Sequence, residues 1–335
     1  MSASPVRIIL VGLAPVALLL VVSTLAAPAA FARFQTSRKL RASDASHVVV
    51  TPAQARAVVT AWNEAANTAA ANFDPGTLDQ VGAPPLLGID APSFQNAKAS
   101  GSTPPPVIGI ANLMVYVPKQ NSYPAQFLAR LDDTTGTNFF LFVKPSKQGE
   151  WKAAYQAKLG ANAPAPDLAL DRRGFATLIP DRQAKKQLKF DPDTLGQSYS
   201  NFLNQSAAAS APAPSVIFSP DVAKEMLSSL PPVSSGQRVV THTPANYPVY
   251  SYRTRDGGAF SIISVNVDIQ TTAGAGAVLA PSQQLFELRP GQRYQSEDVK
   301  GIDLVALSVP PASASALATS PADYNAVISA TGAPA

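Results

Sequence analysis

Apolar residues recur along the chain with two different periods, one typical of helices and one typical of strands. From Ala55 to Phe73 they return every three or four residues, which places them on one face of a helix. Thr51 and Gln54 stand just before this run at the spacing of an N-terminal capping box. The pattern therefore predicts a helix over about residues 52–72.

Strand patterns follow the helical part once the chain has passed three consecutive prolines at 104–106. The predicted strands cover 107–117, 124–131, 138–144 and 150–158, with hairpin loops at 132–136 and 147–149. Residues 139–143 are apolar at every position, so we expect that strand to lie centrally and to be covered on both faces.

The second half repeats this order of helices followed by strands. Asp191 or Asp193 and Ser219 can cap two helices, and strands are predicted from 247, over 263–269, 284–288 and 302–309. The order predicts an α+β fold with antiparallel sheets, built as two tandem units by internal duplication. The alternative is that the two halves share this order without a common origin.

These patterns divide the chain into six segments. We expect a hydrophobic N-terminal segment at 1–32, a linker at 33–50, a first α+β domain at 51–160, a second linker at 161–180, a second α+β domain at 181–311 and a loose tail at 312–335. Of all residues, 46% are hydrophobic and 14% are charged, a composition that excludes wholesale disorder.

The N-terminal segment carries the clearest indication of location. Residues 8–31 contain no charged side chain, and about 20 apolar residues suffice to cross a membrane as a helix. Ala30 and Ala32 have the small-x-small spacing of a signal-peptidase site, whereas the apolar run is longer than a usual signal core. We therefore expect either a cleaved signal peptide or an uncleaved anchor, with the folded part outside the membrane. The basic residues that follow leave a third alternative, a cytoplasmic domain on the anchor.

The net charge of +4 does not indicate a nucleic-acid partner, because the excess is local. Residues 1–41 hold five basic residues and no acid, which leaves 21 basic against 22 acidic residues in the rest. The internal basic cluster at 182–189 lies among aspartates, and we interpret it as a solvated helix face.

The chain is poorly equipped for catalysis. It has no Cys and only two histidines, His47 and His242, for which we expect structural or surface roles. No catalytic residue, cofactor site or metal site is predicted, and no G-x-S-x-G or phosphate-binding loop is present. The acidic pairs at 132–133, 167 with 171, and 297–298 have the character of turn residues with ordinary pKa values.

One set of aromatic residues could line a pocket between a helix and a curved sheet, although core packing explains them as well. They are Trp62, Tyr116, Phe140, Phe142, Trp151 and Tyr155. An acid-base enzyme would need an Asp at an inward strand position. The strand pattern places no Asp there, since Asp268 falls on the face opposite Ile263 and Ile269.

Several motifs resemble those of a family of exported or membrane-anchored actinobacterial proteins of unknown function. They are Phe140-Leu141-Phe142-Val143, Trp151-Lys152, the stretches 166–171 and 174–176, and, in the second half, 252–259 and 309–311. The resemblance implies duplicated cystatin-like or NTF2-like domains displayed outside the membrane, and it supplies no catalytic residue. Many members attach through a lipidated Cys, which this chain lacks.

Together these features predict a non-enzymatic interaction or ligand-binding protein of the bacterial cell envelope. Its expected partners are the membrane, through residues 8–31, and an envelope protein or a small ligand. The alternatives are an acid-base enzyme with an NTF2-like pocket and a structural accessory domain of an envelope complex.

Overall fold

The computed structural model describes residues 48–179, 186–230, 235–281 and 284–335. The predicted membrane segment at 8–31 and His47 lie outside these ranges. Within them, no helix has the length and apolar character that crossing a membrane requires.

From residue 48 onward, the first half begins with three helices. Helix α1 spans Pro52–Asn72, and the predicted capping box is present: Thr51 Oγ1 accepts from Gln54 N at 3.3 Å, and Thr51 N donates back to Gln54 Oε1 at 2.9 Å. Helix α2 spans Pro75–Val81, and helix α3 spans Leu86–Ala99. The prediction for 52–72 is confirmed because both its cap and its apolar stripe are local features of the sequence.

The first half continues with four antiparallel strands, each paired with the next. They are β1 (Asn112–Tyr116), β2 (Ala125–Asp133), β3 (Gly136–Lys144) and β4 (Lys152–Leu159).

The described residues of the second half include helices α4 and α5 and five strands. Helix α4 spans Pro192–Ala209 and is capped by Asp191, and α5 spans Pro220–Ser229 and is capped by Ser219. The strands are β5 (Gly236–Pro244), β6 (Tyr250–Arg253), β7 (Ala259–Ala273), β8 (Tyr294–Val309) and β9 (Thr319–Pro334).

All nine strands belong to one antiparallel sheet, in which the two halves meet end to end. The order is β1-β2-β3-β4-β9-β8-β7-β5, and β6 also pairs with β7. The last strand of each half forms the junction, where Lys158 lies opposite Asp323 and Leu159 opposite Ala322. The α+β class is therefore confirmed. From the junction outward, each half runs from its last strand back towards its first, as β4-β3-β2-β1 in one direction and β9-β8-β7-β5 in the other.

The sheet folds over so that its two halves pack against each other between two layers of helices. Trp62 of α1 contacts Phe140 with ring centroids 4.5 Å apart, and both side chains are buried, which favours the core-packing interpretation of these residues. The next residue of β3, Phe139, points to the opposite face and contacts Phe260 of β7 at 5.1 Å. The expectation that β3 is central and covered on both faces is thus confirmed.

The outer face of the second half forms a separate core beneath α4 and α5. On β7, Phe260 belongs to the core shared with the first half, whereas Ile263 and Val265 belong to the core with Leu203 and Phe218. Alternation along β7 and β8 therefore divides the second half between two apolar cores.

Three sequence predictions are wrong in this region. The tail at 312–335 is not loose, because β9 pairs with β8 from Ser308 opposite Thr319 to Tyr294 opposite Pro334. Its small Ala, Ser and Thr side chains hide the strand from a hydrophobicity pattern, yet its main chain completes the hydrogen bonding of β8. The predicted strand at 284–288 is a tight turn. The described part of the linker at 161–180 packs into the core through Leu168 and Phe175.

Candidate functional site

A cleft of about 320 Å³ opens between the C-terminal part of α3, the turn after residue 284 and the last third of β9. Its lining combines amide, hydroxyl, charged and apolar side chains: Gln95, Asn96, Ala99, Gln284, Phe286, Glu287, Arg289, Ser329, Ala330 and Thr331. The volume lies at the lower end of the range for small-ligand sites.

The turn that forms one wall of the cleft is held in a strained conformation. Leu285 and Leu288 exchange two main-chain hydrogen bonds of 2.9 Å, with Phe286 and Glu287 between them. Phe286 has a φ of 53°, in the left-handed region that bulky residues rarely adopt. Its N–H donates to Asn96 Oδ1 at 2.6 Å, so α3 fixes the turn directly. Such strain persists where surrounding contacts over-determine it, and it is concentrated at binding sites.

The turn also fixes Arg289 at the rim. The Arg289 Nη1 donates to the Phe286 carbonyl at 3.2 Å, and the Arg289 main-chain N–H donates to the Tyr294 hydroxyl at 3.0 Å. Tyr294 is buried together with Leu285 and Leu288 in a small apolar core beneath the turn. The wall of the cleft is therefore preorganised before any ligand binds.

Helix α3 also approaches β9 away from the cleft lining, through a carboxyl and a phenol. The Tyr324 hydroxyl donates to Asp90 Oδ1 at 3.0 Å. Burial raises the pKa of Asp90 to about 7, although the Tyr324 hydrogen bond favours the ionised form.

A pair of carboxyl side chains lies on the outer face of the sheet, beneath α4 and α5. Asp303 of β8 is half-buried opposite Asn325, and Asp323 lies two residues along β9 on the same face. Burial raises the pKa of Asp303 to about 7, and the charge of Asp323 adds to the effect. The pKa of Asp323 rises to about 6 through burial and the charge of Glu225 on α5. Burial raises the pKa of Tyr199 on α4 well above its ordinary value, and the charges of Asp303, Asp323 and Glu225 add to the rise.

His242 is buried in β5 and bonded to α4. The Asn204 side chain accepts from His242 N at 2.6 Å and donates to its carbonyl at 2.9 Å, and the Nδ1 atom of His242 lies 3.2 Å from Asn204 Oδ1. Burial lowers the pKa of His242 to about 4, so the ring is neutral. This placement fits the structural role expected from the sequence.

Most of the acidic residues singled out in the sequence serve turns and ion pairs. Asp132 bonds Arg130 at 2.9 Å, Asp133 accepts from Thr135 N, Asp167 pairs with Arg255, and Asp171 accepts from Arg173 N and Phe175 N. Two of these residues depart from the expectation of an ordinary pKa. Burial raises the pKa of Glu297. Burial would also raise the pKa of Asp132, but hydrogen bonds from Asn112, Thr137 and Arg130 outweigh burial and lower that pKa. The aromatic set packs into the core rather than around a pocket: five of its members are buried there and Trp151 packs against them.

Sequence reasoning missed Asp90, Asp303 and Asp323, the carboxyls with the largest rises in pKa. Asp303 interrupts the apolar run of Ile302, Leu304 and Val305, and that interruption was the one local indication of an inward carboxyl. The statement that no Asp occupies an inward strand position is therefore wrong. In the described part of the chain, no three acidic or histidine side chains are grouped closely enough to hold a metal ion.

Comparison with known proteins identifies a family without identifying an activity. No curated protein and no solved structure matches the chain. A family model matches residues 46–332, which include every described helix and strand up to the last residues of β9. The chain therefore belongs to the family described as Domain of unknown function (DUF8094).

Proposed function

We propose that the chain is a non-enzymatic binding protein of the bacterial cell envelope, and that the cleft between α3 and β9 is its binding site. The cleft carries the proposal, because its wall is preorganised by the bond from Phe286 N to Asn96 Oδ1. The three Asp carboxyls with raised pKa values lie outside the lining: Asp90 of α3 accepts from Tyr324 of β9, and Asp303 and Asp323 lie on the strands beneath α4 and α5.

Display outside the cytoplasmic membrane forms part of the same proposal. The uncharged run at 8–31 supports it, as a cleaved signal or as an anchor. Proteolysis of intact spheroplasts that express the chain tests this location. We expect degradation of the domain before lysis, and protection until lysis would contradict the proposal.

The proposal includes an origin by duplication, with each half a cystatin-like or NTF2-like unit of helix and sheet. The strand order supports it, since β1-β2-β3-β4 and β5-β7-β8-β9 are both meanders that follow helices. The first helices of the two halves, α1 and α4, provide a second line of support. Both end in a left-handed C-cap residue, Phe73 or Ser210.

Counting back from these caps, the two helices carry similar residues at matching positions. Asn67 and Asn204 stand six residues before their caps, and each binds the main chain of an extended segment at both N–H and C=O. Further back, the buried aromatic residues Trp62 and Tyr199 also match. A common origin accounts for a shared device of this kind more simply than chance.

The alternative function is acid-base catalysis, and the paired carboxyls of Asp303 and Asp323 are the observation that favours it. Carboxyls with pKa values of about 7 and 6 can exchange protons near neutral pH. Substrate would have to reach them beneath α4 and α5, where Tyr199 is also buried.

One experiment separates binding from catalysis. The purified full chain is assayed against a broad hydrolase and isomerase substrate panel, beside the Asp303→Asn and Asp323→Asn variants. The binding proposal predicts no turnover by any of the three proteins. Turnover by the parent chain that either amide variant abolishes would establish the enzyme alternative.

A further inference from the structure

The polar groups of the cleft between α3 and β9 present donors and acceptors side by side. Gln95 has an amide that can donate and accept, and the Ser329 and Thr331 hydroxyls can do the same. Asn96 uses its Oδ1 to hold Phe286 N, so its Nδ2 is the donor that it can offer to a ligand. A ligand that matches this lining has several neighbouring groups that both donate and accept.

The apolar part of the lining is a flat surface rather than a deep pocket. Phe286 is held by α3 through its main-chain N–H, and its ring packs partly against the core of Leu285, Leu288 and Tyr294 while its remaining surface lines the cleft. Ala99 and Ala330 add small apolar contacts. A flat ring beside hydrogen-bonding groups suits a ligand that has one apolar face and a polar edge.

Charge and main-chain geometry disfavour two other ligand classes. Glu287 and Arg289 lie two residues apart in the same wall, so an anion would meet a carboxylate as well as the guanidinium. A peptide that added to β9 as a further strand would need the outward carbonyl of Ala330, which already accepts from Glu287 N at 3.1 Å.

We propose that this cleft binds a neutral carbohydrate, with one sugar ring stacked on Phe286 and its hydroxyl groups bonded to the amide and hydroxyl side chains of α3 and β9. Sugar hydroxyls both donate and accept, and the C–H face of a sugar ring is apolar. The inference rests on the proposed binding function of the same cleft.

The test uses the purified full chain in detergent, titrated by calorimetry with neutral hexose and pentose oligosaccharides. An acidic peptide and inorganic phosphate serve as comparison ligands. We expect binding of at least one neutral oligosaccharide and weaker or undetectable binding of the two anions.

Three variants locate the binding. Phe286→Gly removes the ring and relieves the strain of a φ of 53°, and we expect a loss of affinity of about tenfold or more. Because the ring also packs against the core of Leu285, Leu288 and Tyr294, urea unfolding of the variant checks that the fold is retained. Phe286→Tyr keeps the ring and should bind like the parent. Asn201→Ala, which changes a smaller groove of about 200 Å³ on α4, is the matched control and should leave affinity unchanged.

The outcomes separate the carbohydrate inference from the proposed function. Oligosaccharide binding that Phe286→Gly leaves intact would overturn the inference. Binding of the peptide or phosphate alone, lost in Phe286→Gly, would overturn the carbohydrate class and support the binding function. No binding of any probe would count against both.

Discussion

The two helix–sheet interfaces of the protein share a topology and differ sharply in polarity. Beneath α1, Trp62 meets Phe140 in an interface of aromatic contacts. Beneath α4 and α5, an apolar core that includes Leu203 and Phe218 is accompanied by two carboxyls of the strands, Asp303 and Asp323. Burial and the charges of these carboxyls raise the pKa of Tyr199 on α4. Both interfaces are therefore packed apolar cores, and the second also contains carboxyls whose protonation changes near neutral pH.

This difference predicts which perturbation will weaken each interface. Burial of apolar area is nearly independent of pH, so the first interface should respond to changes in side-chain volume. Carboxyls with raised pKa values bind protons more tightly in the folded chain than in the unfolded chain, so the second interface should weaken as pH rises.

The largest expected effect is the loss of Trp62. Trp62→Ala removes the ring that contacts Phe140 at 4.5 Å, and a cavity of that size costs about 3–5 kcal/mol of unfolding free energy. Urea unfolding at two pH values measures it, with Glu64→Ala on the exposed face of α1 as the control. A loss below about 1 kcal/mol would contradict the assigned core.

The two asparagine clamps give a sharper comparison between the halves. Asn204→Ala leaves both the N–H and the C=O of His242 without their side-chain partner, at a cost of about 1–3 kcal/mol. Asn67→Ala should cost less, because the carbonyl of Ile108 still accepts from Asn63 Nδ2 at 3.0 Å. Urea unfolding of both variants measures the two losses of unfolding free energy. Equal losses would contradict the predicted order.

The carboxyl pair predicts that stability falls as pH rises. Between the ordinary pKa of 3.8 and the folded value of about 7, Asp303 holds more proton in the folded chain, so its unfavourable contribution is fully present above pH 7. Asp303→Asn removes that cost and should raise unfolding free energy by about 1–3 kcal/mol more at pH 8 than at pH 4. Denaturation across this pH range measures the effect, and Asp133→Asn at an exposed turn is the control. An equal change in unfolding free energy with pH in both variants would contradict the assignment of the effect to Asp303.

His242 predicts a smaller effect with the opposite sign. Its pKa of about 4 lies below the ordinary value of 6.5, so the unfolded chain binds the proton first as pH falls. Stability from this group is present above pH 6.5 and is lost down to pH 4. His242→Phe should reduce that acid dependence by about 1–2 kcal/mol, and an unchanged slope between pH 4 and 6.5 in denaturant titrations would be inconsistent with a buried neutral ring.

The sequence reveals an element when its cause is local. The capping box at Thr51 and Gln54 and the apolar repeat after it predict α1 to the residue. The alternation of apolar and polar residues did not predict β9, because its small side chains carry almost no periodic pattern and pairing with β8 fixes its position. The strand predicted at 284–288 is wrong for a related reason, since Asn96 of a distant helix holds Phe286 in the left-handed turn.

The candidate site was harder to predict than the fold, because it joins three distant segments. Asn96, Phe286 and Ala330 meet only after α3 reaches past its own half to the edge of β9. No short motif connects them. Asp303 shows the same limit, since its raised pKa depends on burial beneath helices that precede it by many residues.

Hydrogen exchange of the full chain, with and without a mixture of soluble envelope glycans and peptides, tests the central claim that the protein works by binding at the cleft between α3 and β9. The account predicts added protection at residues 95–99, 285–289 and 329–331. Protection concentrated on α4 and α5 above Asp303 and Asp323, or no protection at all, would contradict it.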